Sequence, residues 1–283
     1  MKSAQVRGLS AFGNRFRERA LARNHSKGSV YQMQSTLVPG ADSEFATRLC
    51  EWEQKLRRMT LIVGIFCTDG IILAADKNAL SPPSEYDKPD TLDDIFGVRK
   101  IRHVEKHKLA YAFAGDELAI DVGNELFEQR NDWSQDSNIG SRLQELARTA
   151  YNNGSPKFLQ RGWNPQPAEF LIAFYGWHQL WHLSVGVSVN RAVGIDGMKV
   201  SGAKGNAARF FIQYYDRVLP IRSSKFLAAH TVLAGHRIDG TIDGLDMAVM
   251  NGNGFHWLEE GEKNKLRKRS ERLDQSIRKQ LFD

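Results

Sequence analysis

The 283-residue chain is 41% hydrophobic, which suffices for a sizeable core, and its net charge is +6. Two cysteines, Cys50 and Cys67, offer neither a metal-ligand spacing nor a disulfide framework, so we expect a reducing, cytoplasmic compartment and no metal or cofactor. No apolar run approaches the roughly 20 residues that cross a bilayer, and the N-terminus lacks a secretory signal, so we expect no membrane partner.

The first 58 residues form a basic leader. They carry 11 Lys/Arg and 5 Asp/Glu, which accounts for the whole net charge, while residues 59–283 are balanced. The folded domain therefore has no electrostatic footprint for a phosphate backbone, and we expect no nucleic-acid partner. Residues 1–42 are rich in Arg and Ser, which predicts little packed structure. A short amphipathic helix is predicted over 43–58, with one apolar face made of Phe45, Leu49, Trp52 and Leu56.

The folded domain opens with a strand hairpin. Leu61–Phe66 is a continuous β-prone run, Asp69-Gly70 is a tight-turn pair, and Ile71–Ala75 is a second apolar run. Neither run alternates with polar residues, which indicates strands buried on both faces. We therefore expect layers of structure above and below this sheet.

The remaining elements alternate helix pairs with strands. Helices are predicted over 116–132, 138–152, 206–215 and 223–236, and a basic helix closes the chain. Strands are predicted over Lys108–Ala114, Phe170–Gly176, Leu180–Val187, Lys199–Gly202, Leu245–Met250 and Phe255–Leu258. This order predicts an α+β fold in which two helix pairs cover two stacked sheets, a four-layer α-β-β-α sandwich.

One histidine pair stands out on the hairpin predicted from Phe170–Gly176 and Leu180–Val187. His178 and His182 flank Trp181, and strand alternation would place both on the same face. No nearby acid or cysteine completes a metal site, so we expect a surface or interface pair.

The start of the domain resembles the opening of proteasome β subunits. The segment Thr60-Leu-Ile-Val-Gly-Ile-Phe-Cys-Thr-Asp-Gly-Ile-Ile-Leu-Ala-Ala-Asp76 has that family's N-terminal threonine, its Asp-Gly turn, and an aspartate sixteen residues after the threonine. Similarity continues through Arg99-Lys100-Ile101 and Ala112-Phe113-Ala114-Gly115-Asp116, and more weakly to Asp246-Met-Ala-Val-Met250. The resemblance covers about residues 60–258 and implies an N-terminal nucleophile (Ntn) hydrolase, a threonine-type peptidase.

The resemblance assigns four catalytic roles. Thr60 would be the nucleophile, with its own α-amine as the base, since a hydroxyl needs one. Lys100 would lie beside it, and like-charge repulsion would lower the pKa of both groups. Asp76 would orient Lys100, and the Gly115 N–H would donate to the oxyanion.

Supporting residues follow less closely. The family's Gly-Ser-Gly corresponds to residues 201–205, so its serine is either displaced to Ser201 or replaced by Ala203. The later acidic-plus-serine pair corresponds to Asp239 and Thr241, in a register that nearby Asp243 leaves open.

Two interpretations of function depend on whether the leader is removed. The α-amine of Thr60 is free only if the bond to Met59 is absent, and the preceding Arg58-Met59 lacks the glycine after which self-cleavage usually occurs. The leader is then a propeptide, an extension, or the result of a mis-assigned start at Met59. Alternatively, the helix at 43–58 resembles that of proteasome α subunits, which implies a non-catalytic ring subunit. By resemblance, the partners are copies of the chain in rings, polypeptide substrates, and an ATP-dependent unfoldase.

Overall fold

The computed structural model describes residues 60–77, 99–129, 133, 138–160, 165–202, 211–213, 215, 217–238 and 242–282. The predicted leader and its helix at 43–58 lie outside these residues, and so does most of the helix predicted at 206–215, of which 211–213 form a 3₁₀ turn. The described residues divide between two compact units, Arg57–Arg272 and a second unit that includes Leu273–Asp283.

The chain is α+β, with two antiparallel sheets and four α-helices among the described residues. The strands are Leu61–Cys67 (β1), Gly70–Ala75 (β2), Ile101–Val104 (β3), Leu109–Ala114 (β4), Ala168–Phe174 (β5), Gln179–Val185 (β6), Asn190–Ile195 (β7), Met198–Gly202 (β8), Asp246–Asn251 (β9) and Gly254–Trp257 (β10). The α-helices are Glu117–Gly123 (α1), Ile139–Gln160 (α2), Ile221–Ile238 (α3) and Glu260–Phe282 (α4).

Each sheet has five strands. The first has the order β10-β9-β2-β1-β8 and the second β3-β4-β5-β6-β7. The predicted hairpin is confirmed, since β1 and β2 pair from Ile62 with Ala75 to Cys67 with Gly70. On its other side β1 pairs with β8, which places Leu61 opposite Gly202.

Among the residues that the structure describes, the core consists of three apolar clusters. One contains residues of the second sheet with α1 and α2, and includes Phe170. Another contains residues of the first sheet with α3 and α4, and includes Val63. The third contains residues of both sheets, and includes Ile62. Successive residues of β1 thus enter different clusters, which confirms the prediction that this strand is buried on both faces.

The structure corrects several element boundaries. The helix predicted at 116–132 is shorter: α1 ends at Gly123 and continues as a π-helical turn at Asn124–Glu128. Helix α2 extends eight residues beyond its predicted end at 152 and contains Pro156. Strands β3 and β7 were not predicted. In helix α4, Leu266 is buried, whereas Leu273, Ile277 and Leu281 are exposed. No helix among the described residues has the length and apolar character to span a membrane.

Candidate active site

Asp76 follows the last residue of β2 and is fully buried. Its Oδ1 accepts a hydrogen bond from the Leu61 N–H at 2.8 Å, and its own N–H donates to the Leu61 carbonyl at 3.2 Å. These bonds extend the β1–β2 ladder by one step. The carboxylate is thereby fixed beside the residue that follows Thr60.

Lys100 immediately precedes β3, the strand that forms one edge of the second sheet. Its carbonyl accepts a hydrogen bond from the Phe113 N–H at 3.1 Å, which holds the backbone of Lys100 against β4. Its Nζ donates to Asp76 Oδ2 at 2.6 Å and to Thr60 Oγ1 at 3.0 Å. The structure therefore brings together three of the four residues predicted to be catalytic, Thr60, Asp76 and Lys100.

Burial shifts the pKa values of Asp76 and Lys100 in opposite directions. Removal from water raises the pKa of Asp76, against the opposing charge and hydrogen bond of Lys100. The same removal from water lowers the pKa of Lys100 below 10.5, against the opposing charge of Asp76. Because the Thr60 nitrogen is joined to Met59 in the full chain and carries no charge, the repulsion between Lys100 and a free α-amine stays a prediction.

Gly115 follows β4 with an exposed backbone at φ +141°, a conformation that disfavours other residues. It precedes Asp116, whose Oδ1 caps α1 by accepting from the Leu118 N–H at 3.1 Å. Gly115 also follows Ala114, whose Cβ lies 3.1 Å from the position that a Cβ on Gly202 would occupy. That same position is 2.0 Å from the Thr60 carbonyl oxygen. Gly115 therefore follows a residue that lies close to Gly202, and Gly202 adjoins Thr60. No hydrogen bond between Gly115 and Thr60 is present among the described residues.

Ser201 is buried in β8, where it pairs with Ile62. Its hydroxyl donates a short hydrogen bond to Glu169 Oε2, and His182 Nε2 lies 3.0 Å from the same hydroxyl oxygen. Ala203, the alternative to Ser201, and the separately predicted pair Asp239 and Thr241 lie outside the described residues.

Sequence reasoning missed Glu169 and assigned His182 to a surface or interface pair with His178. His182 is partly exposed and its Nε2 lies 3.0 Å from the hydroxyl oxygen of the buried Ser201, so its place at an interface stays a prediction. His178 is exposed and stacks on Phe66 with a centroid separation of 4.6 Å. A signal for Glu169 was present in the sequence: it is the single charged residue in the run Ala-Glu-Phe-Leu-Ile-Ala-Phe of β5.

The arrangement has a defined chemical capacity. A hydroxyl oxygen 3.0 Å from a buried ammonium is stabilised when it gains negative charge, and the effect is larger away from water. The paired carboxylate keeps that ammonium in place. Thr60 is therefore the side chain in this centre that is best placed to act as a nucleophile.

The fold is that of proteasome-like β subunits, of the type solved in Anbu proteins. Anbu (ancestral beta-subunit) from Yersinia bercovieri matches 79% of this chain and 98% of its own, with 14% identity and a TM-score of 0.56. The helical assembly of the Anbu complex from Pseudomonas aeruginosa matches 79% of this chain and 97% of its own, with 13% identity and a TM-score of 0.58. Anbu from Hyphomicrobium sp. strain MC1 matches 77% and 96%, with 12% identity and a TM-score of 0.53.

These comparisons correct the family assignment made from the sequence. No family model matches the chain, and no curated protein does. The assignment to the proteasome β-subunit family of Ntn hydrolases is therefore wrong. The similar structures are Anbu proteins, and identities of 12–14% establish the fold alone.

Proposed function

We propose that the chain is a threonine-type peptidase in which Thr60 is the nucleophile. One observation carries the proposal: Lys100 Nζ lies 3.0 Å from Thr60 Oγ1 and 2.6 Å from Asp76 Oδ2, inside the fold. A hydroxyl, a cation and a carboxylate in hydrogen-bonding sequence are the elements that an activated oxygen nucleophile requires. The Anbu-type fold is compatible with this activity.

The reaction begins once the bond between Met59 and Thr60 is cleaved. The freed α-amine, with an ordinary pKa near 7.7–8.0, takes the Thr60 hydroxyl proton as Oγ1 attacks the carbonyl carbon of a peptide bond. The Lys100 ammonium stabilises the negative charge on Oγ1 as the proton leaves. The Gly115 N–H donates to the oxyanion of the tetrahedral intermediate.

Breakdown of the intermediate completes the cycle. The protonated α-amine returns its proton to the departing amine, which leaves an ester between the substrate acyl group and Thr60. Water then attacks the ester, the α-amine takes a proton from it, and Thr60 regains its hydroxyl proton as the acid product leaves. Ser201, Asp239 and Thr241 are proposed as supporting residues that orient the α-amine.

We also propose that the architecture is the four-layer α-β-β-α sandwich. The three apolar clusters support it, because one contains both sheets and each of the others contains one sheet with helices. The chain is further proposed to assemble with copies of itself, as the Pseudomonas aeruginosa Anbu complex is described as a helical assembly.

The test is hydrolysis of a fluorogenic peptide library by the wild-type chain and two threonine variants. Thr60→Ala removes the nucleophile and should lower kcat by roughly 10⁴-fold or more. Thr68→Ala, at an exposed threonine in the β1–β2 turn, is the matched control and should leave kcat unchanged. Peptide mapping by mass spectrometry, after quenching the wild type during turnover, should show an acyl adduct on the peptide that contains Thr60.

Two results would overturn the proposal. Turnover retained by Thr60→Ala would place the activity elsewhere. A wild-type chain that keeps residues 1–59 and hydrolyses no peptide would instead support the non-catalytic subunit.

A further inference from the structure

Three polar side chains interrupt the apolar layer between the sheets. Along β5 and β6, alternate residues such as Leu171 and Leu180 belong to the cluster shared by both sheets. The next positions on the same faces are Glu169 and His182, and Ser201 faces them from β8 in the other sheet. Within this polar cluster, Ser201 is buried, whereas Glu169 and His182 are partly exposed. A buried hydroxyl costs free energy unless it is hydrogen-bonded, so Ser201 depends on these two partners.

One carboxylate oxygen organises the cluster. Glu169 Oε2 accepts the hydroxyl proton of Ser201 and also the backbone N–H of Gly202, the latter at 2.7 Å. It therefore binds two consecutive groups at the end of β8. Because β5 and β8 lie in different sheets, the carboxylate also joins the two sheets at this point.

The hydrogen-bond polarity of the cluster follows from its chemistry. An ionised carboxylate only accepts hydrogen bonds, so the single O–H of Ser201 must donate to Glu169. Towards any other group the Ser201 oxygen then acts as an acceptor, and His182 must approach it with a protonated Nε2 at 3.0 Å. Donation runs in one direction, from His182 through Ser201 to Glu169.

The end of β8 that Glu169 holds is the part that touches the start of β1. Gly202 pairs with Leu61. A Cβ on Gly202 would lie 2.0 Å from the Thr60 carbonyl oxygen, so the two backbones approach too closely for any side chain. A shift of Gly202 would therefore be passed directly to Thr60.

We propose that Glu169 is a positioning residue for Thr60, acting through Ser201 and Gly202. An apolar side chain could join the sheets equally well, but it could not bind the Gly202 N–H or orient the Ser201 hydroxyl. Glu169 acts on the reaction by fixing the Gly202 backbone, against which Thr60 lies, and by orienting the neighbouring Ser201 hydroxyl. The inference rests on the proposed peptidase function of Thr60.

The test compares Glu169→Gln and Glu169→Ala with wild type in peptide hydrolysis. Displacement of a nucleophile by about 1 Å can cost about 100-fold in rate, so kcat should fall about 10- to 100-fold with KM within about twofold. Glu169→Gln should retain more activity than Glu169→Ala, since its carbonyl can still accept one of the two hydrogen bonds. Glu145→Gln, at an exposed position on α2, is the matched control and should match wild type.

Amide hydrogen exchange supplies a readout that does not depend on turnover. Loss of the Glu169 carboxylate should speed exchange at Gly202, because that amide loses its acceptor. Faster exchange with unchanged kcat would reduce Glu169 to a structural link and overturn the inference. Unchanged exchange would overturn it as well.

The two proposals fail in different ways. Wild-type activity that vanishes in Thr60→Ala but persists in Glu169→Ala would reject the positioning role alone. Wild-type activity equal to that of Thr60→Ala would reject the peptidase proposal, and the positioning role with it.

Discussion

Asp76 uses its two carboxylate oxygens for two different partners. One oxygen accepts from the Leu61 N–H and the other from the Lys100 ammonium. Since Leu61 follows Thr60 directly, a single side chain fixes both the backbone beside the hydroxyl and the cation that faces it. The pH dependence of the reaction should therefore respond to Asp76.

Asp76→Asn should move the alkaline limb of kcat/KM to lower pH. Burial already lowers the pKa of Lys100 below 10.5, and the Asp76 charge opposes that shift. A lysine is charged only below its pKa. Without the carboxylate the pKa of Lys100 should fall further, so Lys100 should lose its charge at a lower pH. We also expect kcat at the optimum to fall at least about tenfold, since the cation loses its anchor. Steady-state hydrolysis between pH 5 and 10 provides the measurement.

The matched control for this change is Asp121→Asn, at an exposed position on α1. Its profile should coincide with that of wild type. An alkaline limb that stays in place in Asp76→Asn would mean that Lys100 does not set it.

Among the individual residues, sequence analysis found those that belong to short motifs at or near a set distance along the chain from Thr60. Asp76 and Lys100 were found because they lie near short, specific motifs, and the structure brings both to Thr60. Glu169 was missed, and His182 was given another role, because β5 and β6 meet β8 only where the two sheets pack against each other. Nothing in the local sequence states that β5 and β8 face each other.

Among the elements, the pairing of β8 with β1 imposes the tightest steric condition on the centre. Gly202→Ala should destabilise the fold by at least about 2 kcal/mol, because its φ of +89° is strained for alanine and the new Cβ meets the Thr60 backbone. Peptide hydrolysis should fall in parallel. Urea unfolding monitored by circular dichroism gives the change in free energy.

Gly252→Ala is the matched control for that substitution. Gly252 lies in the turn between β9 and β10, and a Cβ there would meet nothing within 4 Å. We expect a change within about 0.5 kcal/mol. Equal stabilities of the two variants would show that β8 can move away from Thr60 at little cost.

The elements that sequence analysis missed share one property. Strands β3 and β7 are the two edges of the second sheet. An edge strand is only partly covered, so it needs no continuous apolar run: Arg102 and His103 of β3 are exposed, as are Arg191 and Gly194 of β7. The strands with strong signals, β1 and β2, lie inside the first sheet and are buried on both faces.

For the whole molecule, the proposed self-assembly makes a measurable prediction. Native mass spectrometry of the full chain at micromolar concentration should give integral multiples of the chain mass, and the same sample in denaturant should give the single chain. Interfaces that bury the area of a stable complex resist dilution into this range. A single-chain mass under native conditions would contradict the assembly while leaving the fold and the centre unaffected.

The two-partner carboxylate of Asp76 has a consequence for folding. A slip of one residue between β1 and β2 would bring Ala75 or Lys77 opposite Leu61, and neither supplies a carboxylate. Lys100 would then be enclosed without a counter-ion, at a cost of about 3–5 kcal/mol. The same side chain therefore favours the native hairpin register, because only that register gives Lys100 its counter-ion.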